Sequence, residues 1–298
     1  MRVGGRANAC RVAVAKRQGV PLLALEPPRP PDSTMPLATA EDGARLAYEV
    51  LEPTDGAAGP GEPLLLLSGQ GLDRGMWDRA APDFAAAGYR VVRWDYRGTG
   101  ESDAPDAPYS TRGFAADAVA VLDAAGVARA HAYGISMGGR VAQWLALDSP
   151  ARVGALVLGA TTPGNAGGVG RDAEAERLLR VGDPVGLADL IASPAFFAAH
   201  PDATAFVQRS LRPHARRLHF QASAEHDAWE LLGGITASTL VLHGGDDRLN
   251  PTANAPLMAA RIPGAELAMI PGARHGYVEE FREEAARIVI EFLRRHPL

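Results

Sequence analysis

The stretch His131–Gln143, HAYGISMGGRVAQ, decides the reading of this chain. It sets Ser136 between Gly134 and Gly138, the spacing of a Gly-x-Ser-x-Gly turn. In a chain with 33 glycines that pattern is weak by itself, and its flanks give it meaning. An apolar strand-like run, Ala130 to Tyr133, leads in, and an Ala-rich helical run from Gly139 to Leu147 leads out. A tight strand-to-helix turn holds a serine hydroxyl above the sheet, and small residues on either side let strand and helix approach. Ser136 is therefore a candidate nucleophile.

A serine hydroxyl is a poor nucleophile alone and needs a base within hydrogen-bond reach and an acid to orient that base. The chain has eight histidines. His131 and His243 fall within or at the end of predicted strands, His200, His214, His219 and His226 in a helical stretch, and His296 at the carboxyl end. His275 alone occupies a loop directly after a strand and before a helix, in IPGARHGY (270–277). That is the carboxyl edge, where parallel sheets put their ligands. For the acid, the loop after TLVLHG (239–244) offers Asp246 and Asp247, whereas the loop after ALVLGA (155–160) offers none. The chain order is then Ser136, Asp247 or Asp246, His275.

Outward from these residues, short β-rich runs alternate with longer helical ones. RLAYEVLE (45–52), PLLLLS (63–68), YRVVRWDY (89–96), AHAYG (130–134), ALVLGA (155–160), TLVLHG (239–244) and ELAMI (266–270) read as strands. Helices are predicted at about 77–87, 112–125, 137–148, 252–261 and 278–295. Such alternation implies an α/β class with a mostly parallel sheet covered on both faces. Residues 162–234 break it: they hold helical runs from Asp172, Pro184, Asp202 and Arg217, and read as a helical cap between core segments 35–161 and 235–298. Residues 1–34 carry six basic side chains against Glu26 and Asp32, lack the apolar stretch of a secretory signal, and end in the cluster Pro27, Pro28, Pro30, Pro31. They read as a disordered extension, with Met35 as an alternative start.

Composition bounds the partners. With 298 residues, 47% of them hydrophobic, the chain can bury a large core. A net charge of −5 offers no basic field for a phosphate backbone, so nucleic acid is not expected and a small neutral or weakly polar ligand is. No apolar run approaches the roughly 18 residues of a membrane span. The single Cys10 forms no intrachain disulfide and no zinc spacing occurs, so the expectation is a cytoplasmic protein without a metal. Arg97–Gly100 lacks the Lys-Ser/Thr of a P-loop and reads as a tight turn. Arg212, Arg216 and Arg217 read as a solvated helical face, with a grip on an acidic substrate as the alternative, and Phe196, Phe197, Phe220 and Trp229 as a group that lines an acyl or aromatic pocket, with core packing of the cap as the alternative for any one of them.

The motifs LLLLSGQGLDRGMW (64–77), VVRWDYRGTGESD (91–103), YGISMGGRVAQWLAL (133–147), TLVLHGGDDRLNP (239–251) and IPGARHGYVEEF (270–281) together resemble the α/β-hydrolase fold superfamily over about residues 37–295. Within it the chain is similar to small capped esterases and lactonases, of the 3-oxoadipate enol-lactonase and aclacinomycin methylesterase type. The resemblance implies that the acid is the fourth residue after His243, hence Asp247. It also implies an oxyanion hole made by the backbone N–H groups of Met137 and Gln70. Where the family has His-Gly before that second donor, this sequence has Ser68-Gly69; the donor is main chain, so the exchange does not by itself remove it. A serine nucleophile argues against haloalkane dehalogenase and epoxide hydrolase relatives, which use an aspartate there. The expected activity is cofactor-independent hydrolysis of a small carboxylic ester or lactone through an acyl-enzyme on Ser136. The rivals are C–C bond hydrolysis, a lyase or a cofactor-free oxygenase on the same residues, and a ligand receptor that does not turn over.

Overall fold

A computed structural model describes residues 35–298 except 55, 57–60, 182–183 and 202–210. The extension 1–34 and most of the helical run from Asp202 lie outside the described residues. Eight strands are present: β1 Leu37–Thr39, β2 Arg45–Leu51, β3 Pro63–Leu67, β4 Arg90–Trp94, β5 Ala130–Ile135, β6 Val153–Gly159, β7 Ser238–Gly244 and β8 Glu266–Ile270. They form one sheet in the order β1-β2-β4-β3-β5-β6-β7-β8. β1 and β2 join antiparallel at one edge, and every pairing from β4 through β8 is parallel. Leu64 to Leu67 and all six residues of β5 are buried, because central parallel strands are covered on both faces.

Helices flank the sheet: α1 Ala81–Ala86, α2 Thr111–Ala124 and α3 Met137–Asp148, then, among the described residues, four more between β6 and β7, and α8 Asn254–Arg261, α9 Tyr277–Glu280 and α10 Arg282–Arg294. One core layer packs Phe114, Val121, Val141 and Met258 against the sheet, and the other packs Trp77, Phe84, Val289 and Phe292. Among the described residues no helix is long and apolar enough to cross a membrane.

The predicted elements largely recur, with two differences. β1 has only three residues, too few to register as alternation, and was not anticipated. The interval between β6 and β7 holds α4 Ala173–Val181, α5 Pro184–Ile191, α6 Pro194–Ala199 and α7 Pro213–Ala224, and among the described residues no strand beyond an isolated bridge from Gly164 to Asp227. The run from Arg217 does not stay helical to Leu232 as its composition suggested; it breaks after Ala224 and resumes as a 3₁₀ turn, Trp229–Gly234. The Asp227 carboxylate accepts from the N–H groups of Ala166 and Trp229, and His226 turns inward to Thr111, Trp144 and Gln143. These local bonds compete with continuation of the helix.

Candidate functional site

Ser136 ends β5 and precedes α3 with φ 58° and ψ −118°, a conformation that a residue with a Cβ adopts only under constraint. The constraint is visible. Ser136 N–H donates to Gly159 O at 2.9 Å, and its carbonyl accepts from Gly139 N–H at 3.1 Å and Thr161 Oγ1 at 2.6 Å. The flanking glycines answer to close packing: a Cβ on Gly134 would lie 2.2 Å from Gly138 O, and one on Gly138 only 2.1 Å from Leu67 O. Helix α3 thus abuts the ends of both β5 and β3, and the serine sits at their junction.

Asp247 lies in the loop after β7, 3% exposed, whereas Asp246 is exposed and its backbone N–H caps Ala273 O. The Asp247 carboxylate accepts from Asn250 N–H at 2.9 Å and meets His275 Nδ1 at 2.8 Å and His243 Nε2 at 3.3 Å. Burial pushes its pKa up, but the charge and hydrogen bonds of His275 and His243 outweigh that and hold it at about 2. An ionised carboxylate only accepts, so Nδ1 of His275 is the donor here, and in the neutral imidazole Nε2 is the nitrogen with the free lone pair. The loop that carries His275 is braced from the helical interval: His275 N–H donates to Leu190 O at 3.3 Å and Gly276 N–H to Ile191 O at 2.7 Å.

Ser136 and His275 line one cavity of about 520 Å³, together with Gln70. Among the described residues the Ser136 hydroxyl makes no hydrogen bond, and neither does the backbone N–H of Gln70. Met137 is the first residue of α3, so its N–H is one of the helix's unpaired amino-terminal donors. The Ser68 hydroxyl donates to Asp73 O at 3.1 Å and ties the ends of the Gln70 loop together. Of the four aromatics assigned to the pocket, Phe220 lines the cavity and is 38% exposed. The other three lie elsewhere: Phe196 is buried under Arg79 and beside Phe197, and Trp229 stacks beneath Arg261 against Gly167. Each fills a contact inside the helical interval or between it and the core.

Several residues around the site were given no role in it from the sequence. His243 and Asn250 flank Asp247, and the spacing His243-x-x-x-Asp247 across a strand-ending turn was the available signal. Arg140, four residues after Ser136, also lines the cavity, as do Arg216 and Arg217, so the helical face read as solvated turns partly toward the site. His219 lines it too; its Nε2 donates to Arg97 O at 2.8 Å, and burial pushes its pKa down to about 4. Among the described residues no group of three or more His, Cys, Asp and Glu is placed to hold a metal ion.

A family model described as the alpha/beta hydrolase fold matches residues 62–184. The chain is 33% identical over 276 residues to a 2-hydroxy-6-oxononadienedioate/2-hydroxy-6-oxononatrienedioate hydrolase of Burkholderia vietnamiensis, covering 86% of this chain and 93% of that protein. It is 40% identical over 136 residues, 44% of each chain, to a rhodomycin D methylesterase of a Streptomyces species. Its structure is similar to that of a hydrolase from Pseudomonas aeruginosa, with a TM-score of 0.75 and 29% identity over 88% of this chain and 99% of the other.

Proposed function

We propose, since the chain belongs to the α/β hydrolase fold family, that it is a cofactor-independent serine hydrolase of a small carboxylic ester or lactone, with Ser136, His275 and Asp247 as its catalytic residues. The observation that supports this most is the 2.8 Å bond from His275 Nδ1 to Asp247, which leaves Nε2 basic beside a cavity that also receives Ser136 from a constrained turn. Ser136 Oγ attacks the carbonyl carbon as its proton passes to Nε2, and Asp247 balances the imidazolium. The oxyanion forms against the N–H groups of Gln70 and Met137, each worth roughly 3–4 kcal/mol when aimed at the developing charge. The C–O bond then breaks, the alkoxide takes the proton from Nε2, and the acyl group stays on Ser136. Water, deprotonated by the same imidazole, attacks the acyl-enzyme and releases the acid. The helices between β6 and β7 act as the lid over this cavity.

The test is a fluorophosphonate label. It is expected once, on Ser136, and not after His275→Ala. Labelling at another serine, or none in a preparation that turns over esters, overturns the reading. The full-length likeness to a hydrolase of an oxo-dienedioate favours one second reading, hydrolysis of a keto acid on the same three residues. Turnover of that substrate class faster than of any ester or lactone would select it.

A further inference from the structure

Five arginines line the cavity that holds Ser136, and among the described residues no aspartate or glutamate does. The molecule as a whole has net charge −5, so this wall is a local reversal. Arg180 and Arg216 are exposed at the mouth, Arg217 is exposed and faces Asp106 at 3.7 Å, and Arg171 is paired with Glu176 at 3.0 Å. Arg140 is different. It is 8% exposed, and its guanidinium donates to Ser223 O at 2.5 Å, Ser223 Oγ at 2.7 Å, Thr162 Oγ1 at 3.0 Å and Asn250 Oδ1 at 3.5 Å. All four acceptors are neutral. Among the described residues no carboxylate lies within ion-pair distance of Arg140, and its Nε has no partner. Burial, with Arg171 nearby, pushes its pKa down to about 10, which leaves it charged at neutral pH.

Resting on the reading of Ser136 as the nucleophile, we propose that the substrate carries a carboxylate and that Arg140 anchors it. Ser136 is the N-cap of α3 and Arg140 its fourth residue, a few ångströms further along the axis, and both line the same cavity. A buried charge without a counter-ion is costly, and a substrate carboxylate at this point supplies the missing partner. The exposed arginines of the mouth steer an anion toward it. Arg140 also ties Ser223 of the lid helix α7 to the body of the protein, but such a tie needs hydrogen bonds and not a positive charge. It gives no reason for five arginines around one cavity. The ligand class is thus an anionic ester, lactone or keto acid whose carboxylate lies a few bonds from the reacting carbonyl, in place of the neutral ligand that net charge alone suggested.

The experiment compares kcat/KM for mono-4-nitrophenyl adipate and 4-nitrophenyl hexanoate, which differ mainly in the terminal carboxylate. Wild type is expected to prefer the adipate at least tenfold at low salt, with the preference shrinking as NaCl is raised. Arg140→Gln, which keeps a donor and removes the charge, is expected to bring the ratio close to one. Should that variant fail to fold, inhibition of wild type decides: adipate is expected to compete for the cavity at least tenfold more tightly than adipamide. Equal use of both esters by wild type, equal inhibition by the two acyl compounds, or an unchanged ratio in folded Arg140→Gln overturns the proposal. Fluorophosphonate labelling in the same preparation separates the two readings. Labelled Ser136 with no anion preference removes the carboxylate site and leaves the serine hydrolase standing; unlabelled Ser136 removes the premise itself.

Discussion

Asp246 and Asp247 are neighbours of the same chemical type, and the turn gives them opposite surroundings. Asp247 is enclosed by His275, His243 and Asn250 N–H, while Asp246 faces solvent. Asp247→Asn is expected to lower kcat by up to about 10⁴, because an amide facing Nδ1 no longer selects the tautomer that accepts the Ser136 proton. Asp246→Asn is expected to stay near wild type, with circular dichroism confirming that both variants fold. The residue also carries a pH signature. Its carboxyl titrates at about 2 in the folded chain against 3.8 when free, so its charge stabilises the fold fully above pH 3.8, and that stabilisation is lost as pH falls toward 2. Urea midpoints measured from pH 7 downward should therefore show a gap between wild type and Asp247→Asn that is constant at first and closes only in that acid window. A gap that closes near pH 6 would assign the stabilisation to a histidine instead. From sequence alone the residues left two acids open, and the family spacing chose between them; the surroundings that separate them physically are made by His243 and Asn250 on either side of Asp247 and by His275, which arrives from the loop after β8.

The element that carries Ser136 is the unit β5–turn–α3, and it was legible because its requirements are local. A strand of buried residues, a turn with glycine on both sides of a serine, and a helix must follow in that order within about twenty residues. The contacts explain why glycine is needed: the carbonyl of Leu67 sits where a Gly138 Cβ would be. Gly138→Ala is expected to lose about 1–3 kcal/mol or more of stability, since the obstacle is backbone and cannot rotate away. Gly170→Ala is the control, having open space around its Cβ position and no left-handed backbone, and its melting temperature should match wild type. Equal melting temperatures for the two variants would mean that the strand and helix can separate at no cost. Less legible were the elements set by distant partners. β1 exists because β2 offers an edge, and the break after α7 exists because Asp227 bonds to Ala166 across the interval. Neither partner is apparent from a window of neighbouring residues.

At the scale of the whole molecule, two layers of helix around one sheet fix the carboxyl edge of the parallel strands, and residues of the interval between β6 and β7 line the cavity there. Which of its side chains face the cavity depends on how four helices pack. Helical periodicity gives a face without naming its neighbour, so the four lid aromatics were read from the sequence as one group. In the folded chain they divide. Phe220 on α7 stands at the cavity, 38% exposed, with room around its ring. Phe196 is 8% exposed among Phe197, His200 and Arg79, and Trp229 packs beneath Arg261. Truncating a ring that faces a cavity changes what the cavity holds, whereas truncating one that fills a contact leaves a void. Phe220→Ala is therefore expected to shift the preference among acyl chain lengths by several-fold while lowering the melting temperature little. Phe196→Ala is expected to cost on the order of 3 kcal/mol of stability with the acyl preference unchanged, and Trp229→Ala to behave in the same sense by a smaller amount, since its ring is partly exposed. The measurements are kcat/KM over a series of 4-nitrophenyl esters from acetate to octanoate and thermal unfolding of the same preparations. If Phe220→Ala loses stability with no change in preference while Phe196→Ala changes preference, the lid seats on the sheet in a different register from the one described, and the acyl chain runs beneath α6 instead of α7.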